Sequence, residues 1–308
     1  MILSIIRSKI ELSFTGDKAF DFQGTDISKI TSGDQPSYAM VRSTGREDSV
    51  EDANPGGNDS FVSQASEEKL SASIGRVIAS YFGERSLEQR LASDEDISQA
   101  EMFLPCLLQG LIGEDPVIDA SKSNANIISG VVYTGKDAST IQAAPGHGEL
   151  VVGSKGNVDS YSVRNDGLVF AEKMCKGFRM KPKLGQAKGK ISLEQVENDF
   201  QREADFALNR EAISKIHEAS QYIKDMYGME MDIEFVYNGD AKKLYIVQAR
   251  AITKSDKAQA TLPSALSPEV IGAKSQALEE KQSAKEVLTL HTNSAVIASA
   301  PNDVIFAS

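Results

Sequence analysis

The sequence predicts an α/β protein of the α+β kind, in which mixed sheets carry flanking helices, and three observations predict it. Short β-branched or aromatic segments bounded by Gly, Asp or Asn recur along the chain, two long stretches show helical periodicity, and an Asn-Gly pair joins two alternating segments. The earliest of these segments, Tyr38 to Val41, is an apolar island in a stretch from Thr31 to Ser66 crowded with Ser, Gly, Asp, Asn and Pro, which reads as loops around one strand. From Glu67 to Arg90, Leu70, Ile74, Val77, Ile78, Tyr81, Phe82 and Leu87 recur at helical spacing, and Glu67 with Glu68 suits the positive end of a helix dipole. Strands are expected at Phe103 to Ile112, Ile127 to Thr134, Leu150 to Gly153, Tyr161 to Val163 and Leu168 to Met174. Asn209 can cap a helix whose Ile213, Ile216, Tyr222, Ile223 and Met226 face a core before Gly228 stops it. Two strands follow, Met231 to Tyr237 and Lys243 to Ile252, joined through Asn238-Gly239. An Ala/Ser/Lys-rich stretch then leads to a helix predicted from Pro268 to Lys285 with a thin apolar face.

Length and composition bound the function. The 308 residues, 41% of them hydrophobic, suffice for two or three domains. A net charge of -11 repels phosphate backbones and anionic membranes unless a local basic patch overrides it, so nucleic acid and membrane partners are disfavoured, and neither is expected. The apolar start, Met1 to Ile6, meets Arg7, Lys9 and Glu11 at once, which leaves no readable signal peptide or spanning helix and points to a cytoplasmic protein. Cys106 and Cys175 lie far apart beside apolar neighbours and read as buried thiols.

The hairpin carries the most chemistry, because side chains alternate between faces and a partner strand continues each face. If Tyr237 pairs with Lys243 across a five-residue loop, Asp232 falls opposite Gln248 and Glu234 opposite Ile246, and all four share a face with Arg250. Met231, Ile233, Phe235, Tyr245 and Val247 then form the apolar side. Carboxylate and amide oxygens are the hard ligands that magnesium prefers, and arginine suits a phosphate chain. The same pattern describes the solvated face of a half-buried hairpin.

Asp232-Ile233-Glu234 followed by Leu244-Tyr245-Ile246-Val247-Gln248-Ala249-Arg250-Ala251-Ile252-Thr253 resembles the end of the ATP-grasp nucleotide domain of the phosphoenolpyruvate synthase and pyruvate phosphate dikinase family. Upstream, Val41-Arg42-Ser43-Thr44 with Glu47-Asp48, then Gly56-Gly57 and Phe61, is similar to another of its stretches, and Arg85 and Arg90 fall at the spacing of a further one. Leu108-Gln109, Ser129-Gly130-Val131-Val132-Tyr133-Thr134, and Gly146-His147-Gly148-Glu149-Leu150-Val151-Val152-Gly153 with Asp159 and Tyr161 follow the family order. The resemblance runs from about Tyr38 to Thr253.

It implies an ATP-grasp-like architecture, a Mg-ATP-binding phosphotransferase of the dikinase type, and the cofactors ATP and Mg2+. Carried over position by position, Arg42 contacts nucleotide phosphate, Asp232, Glu234 and Gln248 bind magnesium and ATP, with Glu234 and Gln248 as the metal ligands, and Arg250 supports the transferring phosphates. Arg42 and Arg250 are thereby the expected catalytic residues, and Glu149 joins the nucleotide-binding set from a glycine-bounded loop. The implied partners are ATP and a histidine phosphocarrier domain in trans; a homo-oligomer is an open expectation.

The chain departs from the family pattern in several places. The family's N-terminal lobe carries a G-G-K-G motif; the residues before Val41 contain none, and Lys9 and Lys18 read as solvated lysines. Val287 to Phe306 is similar only to the first strands of the family's swivelling domain, and His291 lacks the T-x-H context of a phosphorylated histidine. His147 stands for a leucine, Gly45-Arg46 for small residues, Gly110 for an arginine and Ala251 for a proline, while His217 falls inside a helix. The expected organisation is therefore residues 1–37 as a reduced N-terminal segment, 38–253 as the nucleotide-binding region and 254–308 as linker, helix and start of a swivelling domain. A catalytically degenerate relative, kept as an interaction or assembly module, is the alternative.

Overall fold

A computed structural model describes residues 2–12, 22, 38–44, 58–92, 104–114, 125–184, 191–252, 269–270, 294–297 and 304–306. The chain divides into two compact units: Met1–Ile112 with Lys183–Ser192 and His291–Ser308, and Gly113–Pro182 with Leu193–Leu290.

In the first unit, β1 (Tyr38–Ser43) lies between β2 (Phe61–Gln64) and β3 (Cys106–Gly110), with antiparallel pairing on both sides. Strands β13 (Ser294–Ile297) and β14 (Val304–Phe306) extend this sheet beyond β3. Helix α1 spans Ile2–Leu12 and α2 spans Glu67–Ser80. The expected stripe of α2 packs as read: Leu70, Ile74, Val77 and Ile78 join Ala39, Val41 and Leu108 in one buried cluster. The expected single helix through Arg90 breaks at Tyr81 to Gly83, and a second helix, α3, runs Glu84–Ala92. Gly83 is a weak helix former, and buried Arg90 donates to the Tyr81 carbonyl at 2.8 Å while its guanidinium lies 3.7 Å from the Tyr81 ring. That side chain satisfies a carbonyl that a continuous helix would have bonded itself.

The second unit is built on a seven-stranded sheet in the order β11-β10-β4-β5-β6-β7-β12. Its strands are β4 (Ile127–Thr134), β5 (Ala138–Pro145), β6 (Asp159–Arg164), β7 (Val169–Glu172), β10 (Met231–Asn238), β11 (Lys243–Ala251) and β12 (Glu269–Val270). Each neighbouring pair in this sheet is antiparallel, and an isolated parallel bridge joins Gly146 to Met180. Strands β8 (Phe178–Leu184) and β9 (Ile191–Glu197) make a separate two-stranded sheet. Gly130 of β4 has a local reason for its identity: a Cβ there would sit 2.3 Å from the Gln142 carbonyl oxygen and 2.4 Å from the Phe235 ring.

A short helix, α4 (Glu149–Val152), occupies the place where a strand was expected. Local bonds from Val152 N to Gly148 O and Gly153 N to Glu149 O, both 3.0 Å, override the β-branched composition of so short a run. Helix α5 covers Phe200–Ala204, and α6 covers Arg210–Tyr227 with both expected caps. The Asn209 side chain accepts from Ala212 N, and Gly228 closes the helix at φ 68°. Helix α6 buries Ile213, Ile216 and Ile223, but Tyr222 and Met226 are exposed, contrary to expectation. Gln221 and Lys224 bond to Ser139 and Gly135 at the β4–β5 turn, so the last turn of α6 runs past the strand ends it would need for cover. Of the helix predicted from Pro268 to Lys285, Glu269–Val270 is instead the strand β12, paired to Ala171 and Phe170, and the rest lies outside the described residues. Cys106 is buried as expected; Cys175 is exposed, and its thiol donates to Glu203 Oε1 at 2.9 Å, which pushes its pKa up. No helix among the described residues is long and apolar enough to cross a membrane.

Candidate functional site

The hairpin forms where its alternation and Asn-Gly turn place it, with a different register. Asn238 pairs with Lys243, so the loop has four residues rather than five, and Phe235 rather than Glu234 faces Ile246. A bulge at Val247 then shifts the pairing. Beyond it Glu234 lies opposite Gln248 and Asp232 opposite Arg250. The extra residue thus keeps the four polar side chains on one face, as read, while Ile246 moves to the apolar side and packs with Phe235 and Tyr237.

On that face Asp232 is buried, and its Oδ2 accepts from Arg250 Nη2 at 2.6 Å and Nε at 2.9 Å. Glu234, Gln248 and Arg250 are half-buried. Strand β4 continues the same face with Tyr133 beside Asp232 and Val131 beside Glu234. These two pack against Leu150 and Val151 of α4, with Met180, Phe178 and Ile252 around them. The short helix therefore rests on the carboxylate-bearing face, and its first residue, Glu149, pairs with Lys155 at 2.7 Å. His147 just before it accepts from Glu149 N through Nδ1 at 3.2 Å and donates its own backbone N–H to Met180 O. Burial lowers the His147 pKa, partly opposed by the Glu149 carboxylate.

Arg42 lies on β1 in the first unit, where its Nε donates to Ser43 O at 3.3 Å; the other five predicted site residues belong to the second. Gly45, Arg46, Glu47, Asp48, Gly56 and Gly57 lie outside the described residues, as do Lys18, Thr253 and His291. Lys9 is exposed on α1, Arg85 is exposed and Gly110 ends β3. His217 sits half-buried on α6, its pKa lowered by burial and then by Lys224.

Among the described residues no three His, Cys, Asp or Glu side chains cluster tightly enough to cage a metal ion. The pair Glu234 and Gln248, directly opposed across two strands, instead offers one carboxylate and one amide oxygen. That donor set fits magnesium, which keeps waters and takes its remaining ligands from phosphate oxygens.

Sequence reasoning matched Asp159 and Tyr161 to the family order without a role, and the structure makes them the centre of a second polar group in the same unit. Asp159 is buried on β6; its Oδ1 accepts from Lys176 Nζ and Met174 N, both at 2.9 Å, and its Oδ2 accepts from Ala207 N at 2.7 Å and Tyr161 OH at 3.4 Å. Tyr161 OH in turn accepts from Leu208 N at 3.1 Å, and burial followed by the Asp159 charge holds its pKa far above the ordinary tyrosine value. Buried Arg179 reaches Glu114 at 2.7 Å and Glu197 O at 3.2 Å. The family-like Asp159 and Tyr161 thus staple β6 to the loop after β7 and to the approach to α6. The available signal was the basic series Lys176, Arg179 and Lys181 interrupting apolar residues, and all three are buried.

Residues 25–269 match the family described as pyruvate phosphate dikinase, AMP/ATP-binding domain. The chain is 25% identical over 234 residues to a phosphoenolpyruvate synthase of Deinococcus radiodurans, covering 75% of this chain and 29% of that protein. It is 26% identical over 290 residues to the phosphoenolpyruvate synthase of Escherichia coli, covering 90% and 35%. A Bacillus subtilis protein named uncharacterized phosphotransferase YvkC is 26% identical over 226 residues, covering 70% and 24%. The chain spans 29% and 35% of the length of the two synthases.

Proposed function

The chain belongs to the family of pyruvate phosphate dikinase AMP/ATP-binding domains, and on that premise we propose that it binds Mg-ATP on the β10–β11 face and passes a phosphoryl group to a histidine on another domain or chain. The observation that supports this most is the double cross-strand pairing, Glu234 with Gln248 and Asp232 with Arg250, beside the short helix that begins at Glu149. Phosphoryl transfer needs charge neutralisation and in-line alignment more than a protein nucleophile, and this face offers both signs of charge on a rigid ladder. Arg250, held by Asp232, would meet phosphate oxygens through its guanidinium; for Arg42 a phosphate contact is what the family resemblance implies. Glu234 and Gln248 would hold Mg2+, and Glu149 contributes to nucleotide binding. When bound, the metal supplies positive charge to the phosphate oxygens. The phosphorus–oxygen bond to the departing nucleotide would break as a phosphorus–nitrogen bond to an imidazole forms, and this chain's part is to align the phosphates.

A second reading, a nucleotide-binding fold retained as an interaction module without turnover, draws on one feature: Arg250 Nε and Nη2 bond to the same oxygen of Asp232, which engages the guanidinium with a carboxylate of its own protein. Calorimetric titration of Mg-ATP into the wild type, Glu234→Ala and Arg42→Ala separates site from scaffold. The proposal expects heat in the wild type and its loss in both variants; equal heats in all three contradict the site assignment. Mixing the wild type with a histidine-domain protein and radiolabelled ATP then tests transfer, and label on the partner supports the first reading over the second.

A further inference from the structure

Helix α6 carries apolar side chains at core spacing that the core does not use. Tyr222 and Met226, one turn apart, are 49% and 58% exposed, and Tyr227 and Met229 beside them are 55% and 42% exposed. Lone exposed apolar residues are ordinary, but four large ones within eight positions of the chain, with Tyr222 and Met226 one turn apart on the same helix face, are a concentration of the kind that marks an interaction site. Tyrosine supplies rigid contact area with a polar tip, and methionine adapts its shape to a partner. Charge sets what that partner is. Glu218, one turn before Tyr222, and Asp225, one position before Met226, are exposed, and neither enters an ion pair among the described residues. Nearby Lys224 is turned to the Gly135 carbonyl, and Lys215 is paired with Glu211. The stripe is therefore apolar with a negative border, on a chain whose net charge is already -11.

We propose that the exposed stripe Tyr222, Met226 and Met229, bordered by Glu218 and Asp225, is a docking surface for a basic amphipathic helix of a partner protein. An apolar face presented at i, i+3, i+4 and i+7 lays onto such a stripe, and Lys or Arg on its flanks meets the two carboxylates. An anionic membrane surface is repelled by the same border. A second copy offers the same apolar stripe with the same two carboxylates and no cation to meet them, because a twofold contact uses one patch twice.

The test uses the full chain and two fluorescently labelled synthetic helices, one of leucine and lysine and a twin with glutamate for each lysine, followed by anisotropy at low and high salt. The expected result is binding of the lysine helix alone, weakened by high salt. Binding should fall about tenfold or more in Tyr222→Ser/Met226→Ser and in Glu218→Lys/Asp225→Lys, and stay unchanged in Phe200→Ser, which removes a different exposed apolar side chain. Circular dichroism checks that each variant keeps its fold. The proposal is overturned by absence of binding, by equal binding of the glutamate twin, or by variants that bind as the wild type does. It is also overturned if the wild type sediments as a dimer that Tyr222→Ser/Met226→Ser dissociates, since a second copy would then be the occupant.

Discussion

Two aspartates in the second unit, Asp159 and Asp232, are both buried and both bonded to a cation, yet their surroundings differ in kind. Asp159 receives four hydrogen bonds from four residues of three chain segments, and its partner Lys176 is as buried as it is. Asp232 holds Arg250 through one oxygen, and its cross-strand neighbours Glu234 and Gln248 are half-buried on the same face. A charge enclosed by its own protein stabilises an arrangement. A charge that orients a guanidinium beside half-exposed oxygen ligands can serve a ligand as well. Family resemblance touches both aspartates and attaches a ligand role to Asp232 alone; the geometry adds what Asp159 does, which is to hold its own protein together.

The sharpest way to break this comparison is to remove a partner from the enclosed group. Lys176→Met leaves Asp159 charged and buried without its cation, and unfolding should become easier by about 3–5 kcal/mol, read by denaturant titration. A loss below about 1 kcal/mol would mean that Asp159 is not the structural member of the pair. Next in size, Gly130→Ala forces a methyl into the Gln142 carbonyl and the Phe235 ring beneath the hairpin, for an expected loss of about 1–3 kcal/mol with weakened nucleotide binding. At the candidate site the balance reverses. Glu234→Ala should shift stability by no more than about 0.5 kcal/mol while abolishing the heat of Mg-ATP binding.

The smallest effect expected is a pH dependence. The His217 and His147 pKa values are both lowered, first by burial, so the folded state prefers each ring neutral. Their contribution is complete above the ordinary value of about 6.5 and is lost as pH falls through the lower folded values. His217→Gln should flatten the fall in melting temperature below that pH, and an unchanged profile would remove His217 from the account.

The hairpin face was legible because strand alternation and the Asn-Gly turn are local signals, and α6 because Asn209 and Gly228 cap it. Register was not legible. Whether the turn takes four residues or five, and whether Val247 bulges, depends on how β10 is held by β4 on its other side. Strand β5, with Ala138, Gln142, Ala143 and Ala144, has a composition of low strand preference and exists because β4 and β6 flank it. The strand expected at Leu150 to Gly153 became a helix for the converse reason: no neighbouring strand claims it, so it closes its own bonds. Partners for Lys176 and Arg179 were not legible, since only tertiary structure brings Asp159 and Glu114 to them. Of the candidate site, the four hairpin residues could be read together from sequence, whereas Glu149 joins their face only through the packing of Leu150 and Val151 on Val131 and Tyr133.

The central claim is that Glu234 and Gln248 hold the metal of a metal-bound triphosphate, and electron paramagnetic resonance of Mn2+ standing in for Mg2+ tests it most directly. With ATP present, the wild type should convert the free Mn2+ signal to a broadened bound form, and Glu234→Ala/Gln248→Ala should leave the spectrum of Mn-ATP in solution. A bound spectrum unchanged in the double variant, with its fold intact, would contradict the assignment.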